Sequence, residues 1–222
     1  METKKSVRMM ETAFDIVYLC IAYLISIILF ATSIPAYGLR WQFACFALIL
    51  AIGDSFHLIP RILSMWSKKD KVYTSLIGQG KQISSLSMTV FYVGLWLIGY
   101  SLYDTDAKYL TIIIFVFAVI RVVLCLMPQN KWAADDSPYS WQLLRNIPFI
   151  IMCLAVMILF IYGATTTIRG PHFIWLAILI SILCYLPVIL FAKKNPKVGM
   201  LMLPKTCAYI AILIMGFSFP VI

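Results

Sequence analysis

The stretch Gly53-Asp54-Ser55-Phe56-His57-Leu58-Ile59-Pro60-Arg61 brings an acid and two bases close together inside a long apolar run. Asp54, His57 and Arg61 fall at i, i+3 and i+7, which stacks their side chains on one face of a helix. A carboxylate, an imidazole and a guanidinium so placed can hold a water, a polar head group or a proton. Asp54 has too short a side chain to reach a membrane surface. Arg61 is long enough to snorkel there, and His57 reads equally as a packing histidine. Lys205, in Leu203-Pro204-Lys205-Thr206, is the second strong candidate. It either snorkels or forms an ion pair with Asp54, and Pro204 is expected to free a backbone carbonyl beside it.

Arg121 and Arg145 sit nearer the ends of two other apolar runs, where snorkelling accounts for both. A softer stripe of Ser85, Thr89, Tyr92 and Trp96 recurs at i, i+4, i+7 and i+11. With Tyr209, four residues after Lys205, it could wall a polar cavity. Helix packing is the better reading of Ser85 and Thr89, and Asn146, Ser181 and Tyr185 carry the same ambiguity. The expected catalytic group is therefore Asp54, His57 and Lys205, with Arg61, Tyr92, Arg121 and Tyr209 as the expected substrate-binding group. An ionisable residue near the bilayer centre costs about 2.5–3.5 kcal/mol or more, which makes each one a functional candidate by default.

Other chemistries find no footing. The chain holds no P-loop, dinucleotide glycine pattern, HExxH or G-x-S-x-G. Cys20, Cys45, Cys125, Cys153, Cys184 and Cys207 all lie in apolar runs without ligand spacing, so they read as packing residues. No metal and no cofactor is expected. The formal charge of +9 does not point to nucleic acid, because the basic residues form no aromatic-interleaved patch.

Helices in a membrane must position these residues. The chain is 63% hydrophobic and 12% charged, against about half and about a quarter in soluble domains. Seven segments reach the roughly 20 residues that cross a bilayer. They span about 14–35, 41–65, 83–103, 109–128, 143–163, 171–192 and 199–220, and form a single domain. Lys4, Lys5 and Arg8 precede the first run as in a signal peptide, but Glu11 and Asp15 intervene and the run is long enough to span. One side of the membrane carries eleven basic residues: Lys4, Lys5, Arg8, Lys68, Lys69, Lys71, Lys81, Lys131, Lys193, Lys194 and Lys197. The other carries three: Arg40, Lys108 and Arg169. The expectation is an all-α seven-helix bundle of the plasma membrane, N-terminus cytoplasmic and C-terminus outside.

An internal repeat is also suggested. One ungapped offset pairs Thr89 with Thr206, Tyr92 with Tyr209, Gly99 with Gly216 and Ser101 with Ser218. Leu58-Ile-Pro-Arg-Ile-Leu63 matches Tyr185-Leu-Pro-Val-Ile-Leu190 more weakly. Either two parallel three-helix units flank a linking fourth span, or Leu/Ile-rich helices coincide by chance.

The Gly53–Arg61 stretch resembles the Gly-Asp-containing span of the transmembrane lysoplasmalogenase family. The segment from Gly78 through Ser87 to Tyr92 follows it in the family's order. The resemblance implies a small polytopic helical protein that cleaves the vinyl-ether bond of lysoplasmalogens, with Asp54 at the family's first membrane aspartate. Members usually have eight spans, a lysine-bearing span ahead of the Gly-Asp span, and a second aspartate late in the chain. Here the span ahead of Gly53 has no lysine and the sixth has Ser181 but no aspartate. A two-carboxylate mechanism is thus not implied.

Three readings stay open. The first is a lipid-processing enzyme with Asp54 as acid or base, tuned by Lys205 or His57. The second is a small-solute transporter or binder, broadly similar to SWEET and PQ-loop carriers. The third is a sensor or accessory subunit in which the stripe only fixes helix register. The expected partners are membrane lipids and a lipid or small-molecule substrate.

Overall fold

The computed structural model describes residues 2–34, 36–67, 70–134, 138–166, 170–192 and 194–221. Of the basic residues counted for orientation, Lys68, Lys69, Arg169 and Lys193 lie outside the described residues. Long apolar runs have no water to satisfy their backbone, so each closes its hydrogen bonds internally as a helix. The helices are α1 (Glu2–Ser33), α2 (Leu39–Trp66), α3 (Asp70–Tyr103), α4 (Lys108–Leu126), α5 (Tyr139–Thr166), α6 (Ile174–Phe191) and α7 (Met202–Met215). Short 3-10 segments follow α4 (Pro128–Asn130) and flank α7 (Pro196–Leu201 and Gly216–Ser218). Among the described residues, seven segments are long and apolar enough to cross a membrane, and the chain is a polytopic membrane protein.

Hydropathy marks only the apolar part of each helix. α1 and α3 therefore begin well before their apolar runs, because adding a residue to a formed helix costs little. α7 departs the other way, since its apolar run is α-helical only over its middle. Pro204 lies in the first turn of α7, where a missing N–H leaves no bond unmade. The Met202 N–H bonds back to the carbonyls of Gly199 and Met200, so the freed carbonyl expected beside Lys205 is not left open. Pro60 is different. It stands inside α2 and removes the donor that the Phe56 carbonyl would otherwise meet.

Chain neighbours are spatial neighbours throughout. α1 packs on α2, and so on in order to α7, which closes against α1 to complete a ring. α3 also reaches α5 and is the most deeply buried helix. An edge-to-face run of Phe43, Phe91, Tyr92, Phe149 and Tyr185 crosses the interior, with ring centroids 5.1–6.1 Å apart.

The α2–α3 pair is the tightest, and glycine makes it so. A Cβ at Gly53 would lie 1.9 Å from Ser87 Oγ, and one at Gly80 would lie 2.0 Å from the Phe56 carbonyl oxygen. Only a hydrogen in place of Cβ permits this approach. The α1–α7 seam is the slightest of the ring's contacts. At the end of the bundle where α2 begins, Arg40 holds the chain's last turn, donating from Nε to the Phe219 carbonyl (2.9 Å) and from Nη2 to that of Phe217 (2.7 Å). The opposite end of the seam has no such tie among the described residues. It holds the cavity.

Candidate functional site

Four helices meet around a cavity of about 160 Å³ at the end of the bundle where α1, α3 and α7 begin and α2 ends. α2 presents Asp54, His57 and Arg61 to it, as the i, i+3, i+7 stripe requires. α7 adds Lys205 and Tyr209 from the opposite wall, α3 adds Ser84 and Met88, and α1 adds Glu11, Asp15 and Tyr18.

Asp54 is fixed at both oxygens. Tyr18 donates its hydroxyl hydrogen to Oδ2 and Ser84 donates to Oδ1, each at 2.6 Å. Both distances lie at the short end of the range for hydroxyl donors. Asp54 is therefore suspended between α1 and α3, with the rest of its carboxylate facing the cavity. His57 lines the same wall, and its buried Nδ1 has no hydrogen-bond partner. Gly80 packs against the Phe56 carbonyl and the His57 backbone, which sets this stretch of α2 firmly against α3.

Lys205 is buried, at 5% exposure, so it does not snorkel. Neither does it pair with Asp54: among the described residues its ammonium has no ion pair within 4.0 Å. The Asp54 oxygens take hydroxyl donors instead, and the faces of Tyr185 and Tyr209 draw the Lys205 Nζ, at 4.3 and 5.3 Å from the ring centroids. The expected close pair is replaced by an acid and a base that share a cavity without touching.

Arg61 also has partners that the stripe alone did not suggest. Its Nη2 lies 3.1 Å from Glu11 Oε2 and its Nη1 lies 3.4 Å from Asp15 Oδ2, at the cavity's outer end. Asp15 is buried, so Arg61 compensates a charge in the wall, and its guanidinium is engaged there.

Tyr92 and Arg121 stand behind the cavity wall. Tyr92 is fully buried and meets Tyr209 hydroxyl to hydroxyl at 3.4 Å, so it supports the wall without lining it. Thr89 and Ser85 bond to carbonyls of their own helix, and Trp96 donates to Thr111 Oγ1 at 3.1 Å, so the α3 stripe divides among several neighbours.

Arg121 corrects a second expectation. Snorkelling would expose it, but it is 2% exposed, with its guanidinium 3.6 Å from the Phe149 centroid and its Nε and Nη1 without hydrogen-bond partners. The ring face attracts the cation more than the distant interface can, because α4 turns Arg121 inward toward α5. Arg145 is likewise held, over Trp132 at 4.0 Å and donating to Asn130 Oδ1 at 2.9 Å. A buried guanidinium with two nitrogens lacking hydrogen-bond partners is costly, so Arg121→Met is expected to stabilise the fold by about 1–2 kcal/mol. A thermal-unfolding midpoint below that of the wild type would instead give Arg121 a net structural role.

The residues that sequence reasoning missed are Glu11, Asp15, Tyr18 and Ser84. A signal existed for the first three, which fall at i, i+4 and i+7 on one face of α1. Two acids and a tyrosine at helical spacing beside the first span form a stripe as regular as that of α2. Ser84 had no such mark, since the neighbouring Ser85 belonged to the more regular pattern. No protein-family model, curated protein or solved structure matches this chain.

Proposed function

We propose that this protein is an intramembrane lipid-processing enzyme in which Asp54 exchanges a proton with water or lipid in the α1–α7 cavity. The observation that carries this reading is the cavity itself. It holds a carboxylate and an unpaired buried ammonium together, behind the loosest seam of the ring. Tyr18 and Ser84 orient the carboxylate, so the oxygen facing the cavity is presented to a reacting group without reorganisation. His57 lines the same wall beside this pair. Met10 and Met200 form an exposed apolar rim, which suits a substrate whose chain remains in the lipid. The resemblance of the Gly53–Arg61 stretch to transmembrane lysoplasmalogenases favours a lysophospholipid.

The orientation belongs to the same proposal: the cavity end faces the cytoplasm and the C-terminus lies outside the plasma membrane. Eleven basic residues against three support it. A reporter active only in the cytoplasm, fused after Ile222, is expected to stay silent, and a signal from it would reverse the topology.

The parallel repeat adds a second reading, a small-solute carrier. Tyr92 and Tyr209, equivalent in the sequence offset, meet at their hydroxyls. The packing of α3 on α5 has its counterpart in that of α7 on α1, as two parallel units of three helices would produce. One experiment separates the readings. Purified protein in liposomes is given a panel of lysophospholipids and assayed for product, and parallel vesicles are assayed for counterflow of the water-soluble head groups. Turnover that is lost in Asp54→Asn supports the enzyme. Counterflow without turnover supports the carrier and overturns the enzyme.

A further inference from the structure

We infer that Lys205 is the seat of an oxyanion, a phosphate group, at the inner end of the cavity. The inference rests on the lipid reading only for the chain attached to that phosphate; the anion seat stands apart from it. Its basis is a buried ammonium with no partner in contact. Lys205 is 95% buried and lines the cavity, and among the described residues its Nζ has neither an ion pair nor a hydrogen bond. The Tyr185 and Tyr209 faces aim the ammonium but supply no formal negative charge.

Among the described residues, no charged group of the cavity wall touches it. Glu11 and Asp15 are engaged with Arg61 at the outer end. The Asp54 oxygens accept from Tyr18 and Ser84, beyond ion-pair distance of Lys205. On the far side, α4, α5, α6 and α7 contain no aspartate or glutamate at all. Two further cations, Arg121 and Arg145, stack on rings in that half. Asp54 attracts the ammonium across the cavity without touching it, so all three ammonium hydrogens remain free to meet a ligand.

The site's dimensions bound the size of the group at its inner end. A cavity needs at least about 10–15 Å³ to hold one water, so one of about 160 Å³ has room for several. That accommodates a phosphate with a few waters but not an acyl chain. A chain attached to the phosphate must leave along the α1–α7 seam, past Met10 and Met200. Three ammonium hydrogens can serve two phosphate oxygens, and the His57 ring stands in the same wall to meet another.

The test is binding, followed by thermal shift in detergent micelles, so it does not depend on turnover. The probes are a single-chain acylglycerol phosphate, inorganic phosphate, and the matching monoacylglycerol that lacks the phosphate. Wild-type protein is expected to bind the phosphate lipid more tightly than the monoacylglycerol, with inorganic phosphate competing. Lys205→Met is expected to weaken the phosphate lipid by about tenfold or more, as loss of a charge-assisted bond requires, while monoacylglycerol binding stays unchanged. Lys205→Arg keeps the charge and is expected to retain most of the affinity. Equal affinity for the phosphate lipid and the monoacylglycerol overturns the inference, as does unchanged affinity in Lys205→Met. If Lys205→Met does not fold, phosphate competition in the wild type decides: no competition at saturating phosphate overturns the seat. Binding of inorganic phosphate without binding of its lipid form supports the seat and assigns it to a free anion. Binding intact in a wild type that turns over no lipid leaves the seat standing and removes the enzyme reading alone.

Discussion

Asp54→Asn is expected to lower lipid turnover by about two to four orders of magnitude, the range lost when a positioned acid or base is removed. The fold should scarcely notice. Asparagine has the same shape, and its amide oxygen still accepts from Ser84 or from Tyr18. The other hydroxyl can rotate to accept from the new amide hydrogens, since the position of a hydroxyl hydrogen adapts to its partner. The structural cost is therefore about 1 kcal/mol, that of exchanging a charged hydrogen bond for a neutral one. Initial rates in liposomes, beside thermal midpoints in detergent, separate the two effects. Tyr18→Phe serves as the internal comparison. It removes one bond that orients the carboxylate but leaves the carboxylate, so its loss of rate should be much smaller. An Asp54→Asn protein that turned over substrate at the wild-type rate would reduce Asp54 to a packing residue bridging α1, α2 and α3.

Gly80→Ala is expected to disrupt the packing of α2 on α3 severely. Its Cβ would lie 2.0 Å from the Phe56 carbonyl oxygen and 2.7 Å from the His57 Cα. Both are backbone atoms, so no side chain can swing aside. The helices themselves would have to part, at a cost of about 3 kcal/mol, the upper part of the range for overpacked interiors. Because Phe56 lies between Asp54 and His57, the same displacement would draw the cavity wall away from Ser84 and depress turnover as well. Gly199→Ala is the matched control, since a Cβ there meets nothing within 4 Å although Gly199 lines the same cavity. Unfolding midpoints of both variants measure the difference. A Gly80→Ala protein as stable as the control would show that the α2–α3 approach is wider than described.

The two helical stripes show where the reading of the chain was strong. Spacing alone placed Asp54, His57 and Arg61 on one face of α2, and all three line one cavity, because helix geometry translates sequence interval directly into direction. The seven apolar runs were legible for a similar reason: length and hydropathy are local properties, and lipid leaves the backbone few alternatives. Lys205 was equally visible as a cation too deep to ignore.

Partners were a different matter. Arg61 reaches Glu11 and Asp15 across 50 and 46 positions, Asp54 reaches Tyr18 and Ser84 across 36 and 30, and no local pattern states which helix lies beside which. Snorkelling was a sound account of Arg121 for a helix surrounded by lipid. It failed because α4 turns that residue onto Phe149 of α5, and rotation about a helix axis is set by neighbours. The amino-acid sequence by itself determined the helices, their approximate limits, and the face on which each charge lies. The ring order brought four faces to one cavity, joined Asp54 to hydroxyls and left Lys205 facing it without a contact ion pair. Those contacts depend on packing between segments far apart in the chain, which only tertiary structure decides.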